Sequence, residues 1–196
     1  MIQPGEKYTI RQKVFKVFGG AFHIYDNQGN LIAYCKQRAF KLKEDLRVYT
    51  GEDCSKEFLR IKARNIIDFG ATYDILLPDG TSLGSVRRKG LASTFVRDHW
   101  LIFDPSGAQI GDVNEDSSGM ALARRFVPFV GIFCPQKYNI IKSNAASPIA
   151  TLRTHMNLFV HKMGVAIHQE DDEIDELMIL GMGCILTAIE RRNERD

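Results

Sequence analysis

The side chains best suited to chemistry in this sequence are basic ones that could bind an anion. The densest basic run is Arg87, Arg88 and Lys89, and a second group, Lys36 and Arg38, follows the first predicted hairpin. A guanidinium can hold a phosphate through two hydrogen bonds, and an ammonium offers a compact positive charge. These five residues are therefore candidates for binding a lipid phosphate. The same charges would also suit the solvated face of a strand, so that interpretation stays open.

An apolar run at residues 126–133 is the second candidate surface. It contains Phe126, Phe129 and Phe133 and directly follows two arginines. Aromatic side chains next to a basic rim can insert into the headgroup region of a membrane. A buried strand, or a loop packed over the end of a barrel, would have the same composition. We carry the three phenylalanines forward as candidate membrane contacts.

The remaining chemically capable residues form no recognisable motif. The five histidines are scattered, and the four cysteines include no Cys-x-x-Cys pair, so we expect no metal site, no disulfide framework and no cofactor. The sequence also lacks a Gly-x-Ser-x-Gly motif, a P-loop and a Rossmann glycine pattern, and we expect no enzymatic activity. The acidic segment 170–176 lacks the central glycine and the spaced oxygen ligands of an EF-hand loop.

The length and composition suit one globular domain, or at most two small ones, and we treat residues 1–196 as a single domain. The chain is 44% hydrophobic and 26% charged, with a net charge of +2, and its basic excess in the first half is too small for a nucleic-acid-binding arm. We therefore expect no nucleic-acid partner. The first residues contain no apolar signal sequence, and unpaired cysteines favour a reduced compartment, so we expect a cytoplasmic protein.

A short pattern that occurs four times predicts a β-rich fold. The pattern consists of an aliphatic residue, then Ala or Gly, then any residue, then an apolar residue and finally a polar residue. It occurs at 32–36, 83–87, 110–114 and 149–153. A strand-like run and a turn rich in Asp, Asn, Pro or Gly precede each copy, so each unit reads as strand, turn, strand. Further strands are predicted at 8–14, 46–49, 58–64 and 163–166. In 58–64 the residues Arg60, Lys62 and Arg64 share one face.

About a dozen alternating strands favour a closed antiparallel barrel. A barrel of that size has a wide interior, and the apolar segment at the end of the chain can occupy it. Residues 177–189 contain no charge, acidic residues precede them and arginines follow them, which predicts a helix over 170–192. Thirteen residues span roughly 20 Å, whereas a bilayer core is about 30 Å thick. We therefore predict that this helix is buried along the barrel axis.

The order of these segments resembles the LURP-one-related and phospholipid-scramblase-like proteins of the tubby C-terminal-like superfamily. The residues that carry the likeness lie at 11–15, 22–26, 29–30, 36, 40, 148–152 and 163–167, and in the final apolar stretch at 177–190. The resemblance implies a twelve-stranded barrel wrapped around a hydrophobic C-terminal helix. Tubby proteins bind phosphoinositides through basic side chains. Scramblases are described as calcium-responsive, with an acidic segment before the helix, where 170–176 lies in this chain.

Three hypotheses about function follow from the residues and the resemblance. The first is a non-enzymatic cytoplasmic barrel that binds anionic phospholipid at a membrane surface. The second is a structural or interaction module whose partner is another protein. The third is a scramblase-like membrane protein that uses the terminal helix.

Overall fold

The computed structural model describes residues 4–13, 20–37, 45–64, 70–89, 99–116, 135–155 and 160–193. These residues contain twelve β-strands followed by one α-helix. The strands are β1 (Tyr8–Lys13), β2 (Gly20–Asp26), β3 (Leu31–Gln37), β4 (Leu46–Tyr49), β5 (Glu57–Ala63), β6 (Thr72–Leu76), β7 (Ser82–Arg88), β8 (His99–Phe103), β9 (Gln109–Glu115), β10 (Lys137–Lys142), β11 (Ala150–His155) and β12 (Val160–Ile167), and the helix is α1 (Glu176–Asn193).

The strands form a closed antiparallel barrel, as predicted. Each strand pairs with its neighbours in sequence, and the ring closes where β1 pairs with β12. At this closure Tyr8 lies opposite Val165, and Ile10 lies opposite Met163. Closure leaves no row of unpaired backbone groups along a sheet edge, which is how such a sheet avoids edge-to-edge association.

The repeated strand–turn–strand unit is confirmed, and its turn chemistry explains why it recurs. The turn glycines Gly29, Gly80 and Gly107 have φ angles of 88°, 92° and 90°, a region that L-residues with a side chain rarely adopt. Each donates its N–H to the carbonyl three residues earlier, at 3.0–3.1 Å. In the fourth copy Asn144 takes the left-handed conformation with φ 69°, which asparagine tolerates better than most residues.

Helix α1 lies inside the barrel. Its residues 178–189 are all buried, and two glycines show that strands surround it. A Cβ on Gly181 would lie 3.1 Å from Ile75 of β6, and a Cβ on Gly183 would lie 2.8 Å from Ile10 of β1. Because β1 and β6 are far apart around the ring, the helix occupies the centre. The two glycines cost helix propensity but allow close packing on both sides.

The helix begins later than the sequence suggested. It starts at Glu176, not at residue 170, because two aspartates stop it from extending backwards. The Asp175 carboxylate accepts the N–H of Met178 at 2.7 Å, the geometry of an N-cap. The Asp171 carboxylate accepts the N–H groups of Glu173 and Ile174, both at 3.0 Å, which fixes a turn ahead of the helix. The acids at 170–175 therefore form the approach to α1, not its first turn.

The barrel has two different ends. At one end lie the segment 4–7, the hairpins at 27–30, 50–56, 77–81, 104–108 and 143–149, and the segment 168–175 that leads into α1. We name this the hairpin end. The last residues of β1, β3, β5, β7, β9 and β11 and the first residues of the even-numbered strands lie at the opposite end, which we name the far end. Helix α1 runs from the hairpin end to the far end.

Candidate functional site

The basic run at 87–89 lies at the far end, but its members do not share one face. Successive side chains in a strand point to opposite sides of the sheet. Arg87 lies opposite Leu101, is exposed on the outer wall, and places its guanidinium carbon 4.7 Å from the centre of the Phe103 ring. Lys89, one residue beyond β7, is also exposed. The structure thus brings Arg87 and Lys89 together on the outside of the barrel.

Arg88 is separated from its two neighbours. It lies opposite Trp100, whose side chain is 1% exposed in the core, and its guanidinium carbon is 5.8 Å from the centre of a Trp100 ring. Tyr73 packs on the same tryptophan, with ring centroids 6.1 Å apart. Arg88 therefore faces the interior mouth of the barrel and does not share a face with Arg87 and Lys89.

Two basic residues that were not among the sequence candidates lie next to Arg87. The N–H of Arg64 donates to the carbonyl of Thr72, and Thr72 lies opposite Arg87 in the next strand. Arg64 and Arg87 are therefore two strands apart, about 10 Å between backbones. Lys62 lies two residues before Arg64 along the chain and is exposed on the same wall. We name the set Lys62, Arg64, Arg87 and Lys89 the cationic wall.

The four cations of this wall differ in how they are held. Two guanidinium nitrogens of Arg64 bind the Asp74 carboxylate: Nε lies 2.8 Å from both oxygens, and Nη2 lies 2.6 Å from one of them. This hydrogen bonding raises the pKa of Arg64. In the described part of the chain, Lys62, Arg87 and Lys89 make no ion pair. Three exposed positive charges are consequently available to an external anion, beside one that is anchored.

Basic residues continue around the wall toward β3. Lys36 is placed in β3 by its backbone, opposite Arg47 of β4, and Arg47 lies opposite Arg60 of β5. Glu57 compensates part of this charge, with one oxygen 2.7 Å from Arg60 Nε and the other 3.6 Å from Arg47. Arg38, the other member of the second basic group, lies outside the described residues.

The three candidate membrane contacts, Phe126, Phe129 and Phe133, also lie outside the described residues. The nearest described strand ends on either side of them are Glu115 of β9 and Lys137 of β10. Both of these strand ends belong to the far end of the barrel, the end that carries the cationic wall.

The hairpin end has the opposite charge. The segments that form it contain ten acidic residues against Lys7 and Lys56, a net charge of −8. The carboxylate of one of them, Glu6, extends along the wall to His155, and the other nine belong to the hairpins and to the approach to α1. Strands that mostly have six or seven residues, tilted in the barrel wall, separate the two ends by roughly 15–20 Å. Charges that far apart in physiological salt are largely screened from one another, since the Debye length is about 8 Å. The small net charge of the chain therefore conceals a molecule with one acidic and one basic end.

Many acidic side chains at the hairpin end accept hydrogen bonds that stabilise the local backbone conformation. Asp26 and Asp104 accept N–H groups within their own turns, at 2.8–2.9 Å, and hydrogen bonds hold the pKa of each carboxyl below its ordinary range. Lys142 donates to Asp171 at 2.8 Å and to Glu173 at 2.6 Å, and these hydrogen bonds raise the pKa of Lys142. These acids fix turns and the approach to α1.

The described residues give no sign of a metal centre. No group of three or more His, Cys, Asp or Glu side chains within them could hold a metal ion. The thiols of Cys35 and Cys184 are fully buried, and burial raises the pKa of Cys184 to about 12, so both stay protonated. Within the same described segments, none of the helical structure has the length and apolar character that a bilayer crossing requires.

Comparison with known proteins identifies the family of the chain. No curated protein and no solved structure matches it. The model of the LURP-one-related family matches residues 32–187, most of the chain, from β3 into the last turns of α1. Together with the twelve-stranded barrel and its central C-terminal helix, this match shows that the chain belongs to the LURP-one-related family.

Proposed function

We propose that this LURP-one-related barrel is a non-enzymatic cytoplasmic domain that associates peripherally with anionic phospholipid surfaces. The observation that carries the proposal is the cationic wall. Lys62, Arg87 and Lys89 are exposed and have no ion pair in the described part of the chain. Exposed cations that an intramolecular partner does not neutralise are the ones that gain most from a negative surface.

The strength of such binding can be estimated from the number of cations involved. Each Lys or Arg near an anionic membrane contributes about 1 kcal/mol, and the contribution is lost as salt screens the surface. Three unpaired cations on the wall would then contribute about 3 kcal/mol, or roughly a hundredfold in affinity. This is a weak and reversible attachment, which suits a peripheral domain.

Further contacts would strengthen the attachment. In this proposal Lys36 and Arg38 add phosphate contacts on the β3 side of the wall, and Phe126, Phe129 and Phe133 insert into the headgroup region. Aromatic side chains favour the interface because they have a large apolar area. The flanking strand ends of residues 117–134 support this part of the proposal, since they belong to the basic far end.

Vesicle co-sedimentation tests the proposal. The protein is mixed with vesicles of phosphatidylcholine alone, with added phosphatidylserine, or with added phosphoinositide, over a series of salt concentrations. We expect binding to both anionic vesicles, none to phosphatidylcholine, and loss of binding as salt rises. The triple variant Lys62→Gln, Arg87→Gln, Lys89→Gln should bind roughly a hundredfold more weakly.

The matched control is Lys56→Gln, which removes one exposed lysine from the hairpin end. Its vesicle affinity should equal that of the wild type, and circular dichroism should show that all variants keep the fold. The proposal is wrong if the wild-type chain binds no anionic vesicle at low salt. It is also wrong if the triple variant, still folded, binds as tightly as the wild type.

A further inference from the structure

The distribution of charge along the barrel also bears on how the molecule would meet a membrane. A barrel can approach a surface with its side wall or with one end. Exposed cations alone do not distinguish the two, since Arg87 and Lys89 lie on the outer wall as well as near the far end. The acids of the hairpin end do distinguish them, because they penalise any orientation that brings them close to negative lipid.

In a side-on approach the hairpin end would touch the membrane together with the wall. Exposed acids such as Glu52 in the β4–β5 hairpin and Asp79 in the β6–β7 hairpin would then lie within about one Debye length of the surface. Each would be repelled as strongly as a nearby lysine is attracted, so the acids would offset much of the gain from the cationic wall. In an end-on approach the same acids lie roughly 15–20 Å away, about two Debye lengths, and have little effect.

We propose that the barrel docks end-on, with its far end against the anionic surface and the axis of α1 steeply inclined to it. This rests on the proposed function and specifies its geometry. The cations near the far end contact the lipid, whereas the hairpin end and the approach to α1 face the solvent. The acidic hairpins thus act as an orienting element even though many of them also hold turns.

Four fluorescent labels can test the orientation. The hairpins at 50–56 and 143–149 lie six strands apart in the ring of twelve, so they are on opposite walls. Lys56→Cys and Ala146→Cys mark the hairpin end on these walls, and Asp45→Cys and Asp116→Cys mark the far end on matching walls; all four positions are exposed. Each label is introduced into a Cys54→Ser, Cys134→Ser background, and quenching by a lipid-borne quencher is measured on phosphatidylserine vesicles.

End-on docking predicts quenching at positions 45 and 116 and none at positions 56 and 146. Quenching at both positions of one wall and at neither of the other would show side-on docking and overturn the inference, while leaving the proposed function intact. Quenching at 56 and 146 alone would overturn it as well. If co-sedimentation of the same labelled proteins shows no binding, the proposed function fails and this inference fails with it.

Discussion

The hairpin end and the far end of this barrel are built from the same strands but have different charges. At the hairpin end, acidic side chains accept backbone N–H groups within tight turns, as Asp26 and Asp104 do. Near the far end, cations such as Lys62 and Arg87 project from the wall without an ion pair in the described residues. The acids stabilise the fold locally, whereas no acidic side chain of the described residues neutralises these two cations.

This contrast explains why the bulk composition says so little about function. The net charge of +2 is the sum of a charge of −8 on the hairpin-end segments and a positive charge on the rest of the chain. A protein whose charges are separated along one axis can be attracted to a negative surface and oriented by it at the same time.

The largest expected effect concerns α1, which connects the two ends. Leu180 is 2% exposed in the barrel core, and Leu180→Asp would bury an unpaired carboxylate. We expect a loss of several kcal/mol in the free energy of unfolding and no soluble folded protein. Leu180→Met, which nearly conserves volume, should cost less than about 1.5 kcal/mol. Thermal unfolding checks both, and a folded Leu180→Asp protein with an unchanged Tm would contradict the central helix.

The second prediction concerns the approach to α1 at the hairpin end. Burial raises the pKa of Asp171, but hydrogen bonds from Lys142, Ile174 and Glu173 outweigh it and leave the pKa below its ordinary value of 3.8. Asp171→Asn should lower the free energy of unfolding by about 1–2 kcal/mol at neutral pH. The same charge change at Asp172, which is exposed, should have almost no effect.

The pH dependence of that difference follows from the lowered pKa. A carboxylate whose pKa is lower in the folded state stabilises the protein above its unfolded pKa, and this stabilisation is lost as pH falls through the folded value. The difference between wild type and Asp171→Asn should therefore be constant at neutral pH and shrink below about pH 4. Urea unfolding at several pH values measures it. An equal loss in Asp172→Asn, or a difference that grows on acidification, would contradict the assigned contacts.

A smaller effect is expected in the hairpins. Gly107 has φ 90° and no heavy atom within 4 Å of where a Cβ would stand, so Gly107→Ala changes conformational strain and not packing. We expect a loss of about 1 kcal/mol in the free energy of unfolding. Gly80→Ala should cost the same, because its turn has the same geometry. Unequal losses in chemical denaturation would show that the repeated turns are not equivalent.

The smallest effects separate the two arginines at the far end. Arg87→Gln should weaken binding to phosphatidylserine vesicles about fivefold, the loss of about 1 kcal/mol. It should cost no more than about 0.5–1 kcal/mol in the free energy of unfolding, because the contact of this exposed guanidinium with the Phe103 ring is lost. Arg88→Gln should have the larger effect on stability, a loss of about 0.5–2 kcal/mol in the free energy of unfolding, because it removes the guanidinium from the Trp100 ring. It should have a smaller effect than Arg87→Gln on vesicle affinity, because its charge faces that ring and not the outer wall. The reverse pattern would show that the inner arginine, not the outer one, meets the lipid.

Local patterns in the sequence were sufficient for the barrel and its central helix. Alternating side chains and the turn residues around Gly29, Gly80 and Gly107 predicted strand pairs that the structure confirms. The start of the helix was placed too early because acids are common both in a first turn and before a cap. An aspartate directly before the apolar run, Asp175, was the signal that could have set the boundary.

The candidate site was harder to predict because it depends on register between strands. Arg87 and Arg88 are consecutive in a predicted strand, and the alternation of side chains along a strand could have shown that they point to opposite sides of the sheet. Arg64, in contrast, is joined to Arg87 only through Thr72, by pairings that no local pattern specifies. The alternating basic face of 58–64 was visible in the sequence. Its position beside Arg87 depends on the register of β5 with β6 and of β6 with β7.

Hydrogen exchange on vesicles shows in one experiment which end of the barrel contacts the lipid. Exchange is compared with and without phosphatidylserine vesicles for peptides that cover the far-end strand segments 60–64 and 84–89 and the hairpins 26–30, 77–81 and 104–108. We predict that vesicle-induced protection is confined to the far-end segments. Protection of the hairpins, with the far-end segments exchanging as they do in solution, would contradict it.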